Sequence, residues 1–411
     1  MLAGSIMKNT MAIVLAGGTG SRLAPLTQHR AKPAVHFGGK YRIIDFTLSN
    51  CLHSDIRRIL VLTQYRSHSM HKHLRNGWNI LTPEMGEFIT AIPAQMKHGN
   101  HWYEGTADAV YQNIDLLRWN SAKYIIILSG DHIYRMDYAA MLKHHIEQSA
   151  EVSIACKKVP RQQASEFGVV DIDEKMNITA FTEKPEQPVS APDDPGQSLI
   201  SMGIYIFNKK KLITRLEADR DITDSRHDFG HDIIPAWIEH GRVNAYLFDN
   251  VIGRVSSDNY WRDVGTLDAY FEANMDLLKT NPPLNLYQSD WPIRTYNAQH
   301  PPSRTGPSDT GINEQLNNVI MCSGSLIIGA TIKDSILAAE VQVEAGAIIE
   351  SSIIFSDVHI AEGVKLRRCI VDKHVKIPAG EQIGFDRQRD SSRFTVTESG
   401  ITVIPAGYRF T

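Results

Sequence analysis

The chain has 411 residues, a formal net charge of −3, 42% hydrophobic and 22% charged residues, the balance of a globular protein with sizeable cores. At this length two domains are expected. The charge gives no support for general nucleic-acid binding, no apolar run reaches the length of a membrane span, and Met1 to Thr10 lack the basic and apolar regions of a secretory leader.

Cys51, Cys156, Cys322 and Cys369 show no metal-ligand spacing and read as small buried residues of a cytoplasmic protein. None of the 17 histidines forms H-E-x-x-H, and His68, His71 and His73 read as one solvated helix face.

Met11 to Leu15 is a short apolar run that predicts a buried strand. It feeds Leu15-Ala16-Gly17-Gly18-Thr19-Gly20-Ser21-Arg22-Leu23, with Lys32-Pro33 beyond. Glycines leaving a strand let backbone N–H groups close on phosphate oxygens, and Arg22 and Lys32 add two cations. The loop is neither a Walker A motif nor a full G-x-G-x-x-G fingerprint. Ile59 to Thr63 and Tyr124 to Leu128 predict further buried strands. Between them Thr106 can cap a helix with Ala109, Val110, Ile114 and Leu117 on its apolar face. Strands are expected at Val152 to Ala155, Gly168 to Ile172 and Met202 to Phe207, and helices at Lys209 to Glu217, His231 to Glu239 and Leu267 to Leu278. Alternation of this kind predicts an α/β fold, a Rossmann-like, mostly parallel sheet covered on both faces. Ligands then bind beyond the carboxyl ends of the strands, where the glycine loop lies.

Three chemical motifs fall in this region. Asp131 directly follows the strand ending Leu128-Ser129-Gly130. Asp263 stands in Trp261-Arg262-Asp263-Val264-Gly265-Thr266, at the start of the next helix. Two converging carboxylates suit Mg2+, which takes few protein carboxylates plus phosphate oxygens and water. Lys184, in Glu183-Lys184-Pro185, is a candidate to hold a second anionic substrate. The aromatic pair Trp102-Tyr103 precedes Gly105-Thr106-Ala107-Asp108, where a ring could stack on a base or sugar or pack in a core.

Prolines at 282, 283, 292, 301, 302 and 307 interrupt regular structure. The expected division is a catalytic domain over 1–282, a connection over 283–315 and a second domain over 316–411. In the last, Val341, Ala347 and Ile353 stand six apart, as do Val358, Val364 and Ile370, with small corners such as Ala361-Glu362-Gly363. Hexapeptide repetition predicts a parallel β-helix, here a left-handed one, whose open faces favour self-association.

These motifs together resemble the sugar-1-phosphate nucleotidylyltransferases, most closely their bacterial glucose-1-phosphate adenylyl branch. The specific segments are Arg30-Ala31-Lys32-Pro33-Ala34-Val35-His36-Phe37-Gly38-Gly39-Lys40, Arg42-Ile43-Ile44-Asp45-Phe46, Ser129-Gly130-Asp131-His132-Ile133-Tyr134 and the hexapeptide domain. The resemblance implies that Gly17, Gly18, Gly20, Arg22 and Lys32 hold ATP phosphates, with Arg22, Lys32 and Asp131 catalytic. It implies that Tyr103, Gly168, Glu183, Lys184 and Ser201 contact glucose 1-phosphate, and that Asp131 and Asp263 carry Mg2+. It further implies a homotetramer for glycogen synthesis. An allosteric anion site for small phosphorylated effectors would draw on Arg30, His36, Arg42 and Arg368, with Gln64 and Trp102 linking it to catalysis. His29 stands where enterobacterial relatives have lysine, and their basic C-terminal tail has no counterpart here, which lowers the charge available to a bisphosphate. Two alternatives share the fold: a transferase for another nucleotide, and a non-catalytic regulatory subunit.

Overall fold

The computed structural model describes residues 6–97, 101–249, 255 and 259–410. Its first part runs β1 (Thr10–Ala16), α1 (Ile43–His53), β2 (Arg58–Thr63), α2 (His68–Gly77), β3 (Phe88–Pro93), α3 (Thr106–Tyr111), β4 (Tyr124–Ser129) and β5 (His132–Tyr134). It continues through β6 (Val152–Pro160), β7 (Gly168–Ile172), β8 (Ile178–Glu183), β9 (Gln197–Asn208), α4 (Lys209–Arg220), β10 (Val243–Leu247), β11 (Trp261–Asp263) and α5 (Leu267–Asp276). The main sheet has the order β8-β7-β9-β4-β1-β2-β3, with β6 and β10 joined through β9.

The strands around the glycine loop, β4-β1-β2-β3, are all parallel. Both faces of β4 are covered, which is why its sequence is a continuous apolar run. Ile126 and Leu128 enter one core, Ile125 and Ile127 the other. Beyond β4 the direction changes: β9 is antiparallel to β4, β6 and β7. Alternation of strand and helix signals alone does not reveal that reversal, because an antiparallel strand buried on both faces carries the same apolar pattern.

Two local expectations need correction. Gly105, not Thr106, is the N-cap of α3. The Thr106 hydroxyl instead donates to Asp228 (2.9 Å) and accepts from the Phe229 N–H (2.9 Å). On α2, His73 is 4% exposed rather than solvated. Its Nε2 lies 2.6 Å from Asp45 Oδ1, which also accepts from Trp78 Nε1 at 2.8 Å. A fully buried carboxylate requires such partners.

The second part is a stack of parallel coils. Ile332, Ile349, Leu366 and Ile383 pair in sequence, as do Ile336, Ile353 and Ile370. Val341, Ala347, Ile353, Val358, Val364 and Ile370 are all buried. Successive coils repeat after 17 residues, as from Ile332 to Ile349. Two sides keep the six-residue step and the third has five. Gly346, Gly363 and Gly380 stack at one corner with φ of 69°, 67° and 72°, a conformation that favours glycine.

The two parts share a core. Phe37, Phe46, Tyr270 and Phe271 pack with Ile336, Ile353, Phe355 and Ile370. The proline-rich connection is tied down rather than loose. Trp291 is buried and donates to Asn50 (3.0 Å), and the Arg294 N–H donates to Ser49 (2.9 Å). Arg304–Gly306 already pairs with Leu326–Ile328 of the β-helix.

Candidate active site

A cavity of about 610 Å3 opens at the carboxyl ends of β1, β2 and β4, lined by the whole stretch from Leu15 to Arg22. Gly20 has φ 63°, and a Cβ there would lie 3.1 Å from Lys32 Cβ and 3.2 Å from Thr27 Cγ2. Glycine is thus required by conformation and by space. Its carbonyl accepts from Thr27 Oγ1 at 2.9 Å, which pins the loop. Gly18 faces open space.

Lys32, on the turn after the loop, reaches across the cavity floor. Its Nζ lies 2.9 Å from Asp131 Oδ2 and 2.8 Å from Asp263 Oδ1. Burial works against its charge, but the two carboxylates outweigh burial and hold the lysine pKa above its ordinary value. Burial raises the Asp131 pKa, yet Lys32, His132 and the Ser129 hydroxyl together hold it below the usual carboxylate range. Asp263 arrives from another part of the chain through the two-stranded ribbon of β5 and β11, where it pairs with His132. Helix α5 begins only after the N-cap Thr266, so Asp263 is a strand-end carboxylate rather than a helix-start one.

Two carboxylate oxygens converging on one ammonium describe the donor set a hard divalent cation takes. Asp131, His132 and Asp263 each offer an atom within 4.8 Å of the others. The residues therefore fit a divalent metal. Asp131 and Asp263 are the residues that would hold it.

Arg22 is exposed and paired at 3.5 Å with Glu166. It lines the same cavity as Gly17, Gly18, Gly20, Lys32, Tyr103 and Asp131. Tyr103, Glu104 and Gly105 line another side of it, whereas Trp102 does not line it and is exposed. Gln64 Nε2 donates to the Tyr103 carbonyl at 3.5 Å, and Gln112 Nε2 to the Trp102 carbonyl at 3.5 Å. Burial raises the Tyr103 pKa despite a bond from Asn113 Nδ2 (2.9 Å), so the phenol is neutral.

The remaining candidates, Gly168, Glu183, Lys184 and Ser201, are not among the residues that line this cavity. A Cβ at Gly168 would strike Phe181 Cζ at 2.4 Å and Glu183 Oε2 at 2.9 Å, so only glycine lets Glu183 lie flat against β7. Lys184 follows in the left-handed region, φ 48°, with its ammonium 3.2 Å from Glu183 and largely exposed. Ser201 is buried and bonds the Tyr205 hydroxyl at 3.3 Å. The functional candidates that sequence reasoning missed are Ser129, His132 and Asp228. The first two flank Asp131 in the quoted motif. Asp228 carried no signal, because only the fold brings it to Thr106.

A second cavity, about 910 Å3, lies between the two parts and is lined by His36, Lys40, Arg42, His68, Lys72 and Lys373 among others. Two of the four expected anion-site residues do not line it. Arg30 is buried with its Nη2 on both carboxylate oxygens of Asp372, at 2.9 and 3.0 Å. Arg368 lies over the Phe271 ring in a separate groove. Lys72 and Lys373 stand in their place, and their presence there depends on a docking that motif reading does not see. Burial first, then Arg42 and Arg30, pull the Lys373 pKa down to about 7.

The sequence profile of the Nucleotidyl transferase family matches residues 11–280, and that of the GlmU-like C-terminal hexapeptide matches residues 301–404. The chain is 56% identical over 404 residues to glucose-1-phosphate adenylyltransferase 2 of Vibrio cholerae, covering 98% of this chain and 99% of the relative. It is 57% identical to the Vibrio parahaemolyticus protein of the same name over 404 residues, 98% of this chain and all of that one. The glucose-1-phosphate adenylyltransferase of Methylobacillus flagellatus is 47% identical over 401 residues, 97% of this chain and 94% of the relative. Among the described residues no helix is long and apolar enough to cross a membrane.

Proposed function

The chain belongs to the nucleotidyl transferase family and, within it, to the glucose-1-phosphate adenylyltransferases; from that membership we propose how its residues carry out the reaction. The enzyme transfers the adenylyl group of ATP to glucose 1-phosphate, giving ADP-glucose and pyrophosphate for glycogen synthesis. The observation that carries the residue assignment is the meeting of Lys32, Asp131 and Asp263 beside the glycine loop.

A phosphate oxygen of glucose 1-phosphate attacks the α-phosphorus of ATP as the bond to the bridging oxygen breaks and pyrophosphate leaves in line. The nucleophile is already an anion, so no general base is needed, and the work is positioning and charge neutralisation. The backbone of Gly17, Gly18 and Gly20 cradles the triphosphate, and Arg22 and Lys32 take the charge that builds on pyrophosphate. Tyr103, Gly168, Glu183, Lys184 and Ser201 seat the sugar phosphate. Transferases of this kind use a divalent metal; Asp131 and Asp263 would hold it, as Mg2+, where it supplies further neutralisation of the phosphate charge. Gln64, whose amide donates to the Tyr103 carbonyl, and Trp102, whose carbonyl accepts from Gln112, suit a link between effector and active sites. The assembly we infer is a cytoplasmic homotetramer.

The test is pyrophosphate release from the pure protein with Mg2+, glucose 1-phosphate and each of ATP, UTP, dTTP and GTP. Release with ATP alone is expected. Release with another nucleotide instead overturns the adenylyl assignment. No release with any favours a non-catalytic subunit. Replacing Lys184 by alanine should raise KM for glucose 1-phosphate with little change in KM for ATP; an unchanged glucose 1-phosphate KM would remove Lys184 from that role.

The cavity between the two parts suits a small phosphorylated effector, held by His36, Arg42, Lys72 and Lys373. With the Lys373 pKa down to about 7, an anion binds the protonated form and draws in a proton. Phosphate esters are largely dianionic above about pH 6. From pH 7 to pH 8.5 effector affinity should therefore fall, by up to about tenfold per pH unit. Calorimetric titration checks this, and Lys373→Met should flatten the pH dependence.

A further inference from the structure

Asp131 uses its two oxygens differently. Oδ2 faces the Lys32 ammonium at 2.9 Å, where the cation assignment places the metal. Oδ1 is turned away from it and accepts from the Ser129 hydroxyl. A second group approaches that same oxygen. His132 Nε2 lies 3.6 Å from Asp131 Oδ1 and 4.0 Å from Asp263 Oδ1, just outside hydrogen-bond reach of both.

The placement of this ring is built rather than incidental. His132 stands directly across the β5–β11 ribbon from Asp263. Its side chain is 13% exposed, and its ring packs edge-on against Trp261 with centroids 5.0 Å apart. Trp261 is backed in turn by Phe167 at 5.4 Å. The other ring nitrogen, Nδ1, is buried and meets no hydrogen-bonding partner among the described residues. A buried N–H left without an acceptor costs about 1–3 kcal/mol. The proton therefore belongs on Nε2, where it faces both carboxylates.

We propose that His132 is a positioning residue of the cation centre: the Ser129 hydroxyl bonds Asp131 Oδ1, and the His132 Nε2–H, facing both carboxylates from 3.6 and 4.0 Å, keeps that oxygen on its side by charge–dipole attraction, so that Oδ2 and Asp263 Oδ1 present one fixed pair of donors. The inference rests on the assignment of Asp131 and Asp263 to a divalent cation. Outer-shell partners that orient a ligating carboxylate are typically worth 10–100-fold in metal affinity.

Mn2+ is the probe, titrated into the full-length protein with a non-hydrolysable ATP analogue and read by the electron paramagnetic resonance of free Mn2+. Two polar variants separate positioning from packing. In His132→Gln the side-chain amide reaches about as far as Nε2; in His132→Asn it falls short. The Gln variant should bind Mn2+ close to the natural protein, and the Asn variant about 10–100-fold more weakly, with an unchanged KM for glucose 1-phosphate. Equal affinities for the two variants and the natural protein would overturn the proposal, as would equal losses in both. Asp263→Asn separates the underlying reading. If it abolishes Mn2+ binding while His132→Asn is silent, only the role of His132 falls. If it leaves Mn2+ binding intact, the cation assignment falls and this proposal with it.

Discussion

Asp131→Asn should lower kcat by on the order of 10²–10³ while the protein keeps its fold and its melting temperature. The substitution preserves shape and removes only charge. Lys32, now 2.9 Å from Asp131 and 2.8 Å from Asp263, retains the second carboxylate, so no buried cation is stranded. What is lost is half of the donor pair that would gather a cation, Lys32 and the triphosphate at one point. The loss should appear in kcat and in the metal concentration needed for half-maximal rate, more than in KM for glucose 1-phosphate, because Ser201 lies on β9 and Lys184 just after β8. Turnover near that of the natural enzyme would take Asp131 out of the metal role. A collapse of stability would recast the trio as a structural ion cluster.

The second large effect concerns stability. Asp372→Ala should destabilise the protein by about 3–5 kcal/mol. Arg30 and Asp372 are 342 residues apart, and their side chains are 9% and 1% exposed. Removing the carboxylate leaves a guanidinium buried against the Phe355 ring with no counter-charge at its Nη2, and the Nη1 of Arg30 already meets no hydrogen-bond partner among the described residues. Denaturant unfolding of the natural and variant proteins measures the difference. The double variant Arg30→Met with Asp372→Leu should recover most of it, because replacing a whole buried pair by apolar groups is often close to neutral. A loss below about 1 kcal/mol, the scale of an exposed pair, would show that water reaches Arg30 and that the contact does not hold the β-helix to the catalytic part.

This contact also shows where motif reading and structure part company. Arg30, His36, Arg42 and Arg368 all suit an anion when read one by one. In the folded chain Arg30 is neutralised by Asp372, Arg368 lies in another groove, and Lys72 and Lys373 fill the places they leave. A cation announces itself in sequence; the carboxylate that neutralises it from the far end of the chain does not. The same holds for His73, which belongs to an apparently solvated helix face and lies buried on Asp45.

The sequence by itself determined the parts whose physics is local. A strand must be apolar where both faces are covered, so the Tyr124–Ser129 run and the Met11–Leu15 run are legible. A tight turn with φ 63° needs Gly20, so the glycine loop is legible too. The six-residue step of the β-helix is written in Val341, Ala347 and Ile353 because each side of a coil buries one inward residue. Tertiary structure alone decided the antiparallel course of β9, the 17-residue coil, the convergence of Asp131 and Asp263 on Lys32, and the position of His132 opposite Asp263. Each of these depends on which segments become neighbours, and that is settled by the packing of whole cores rather than by any short stretch of residues.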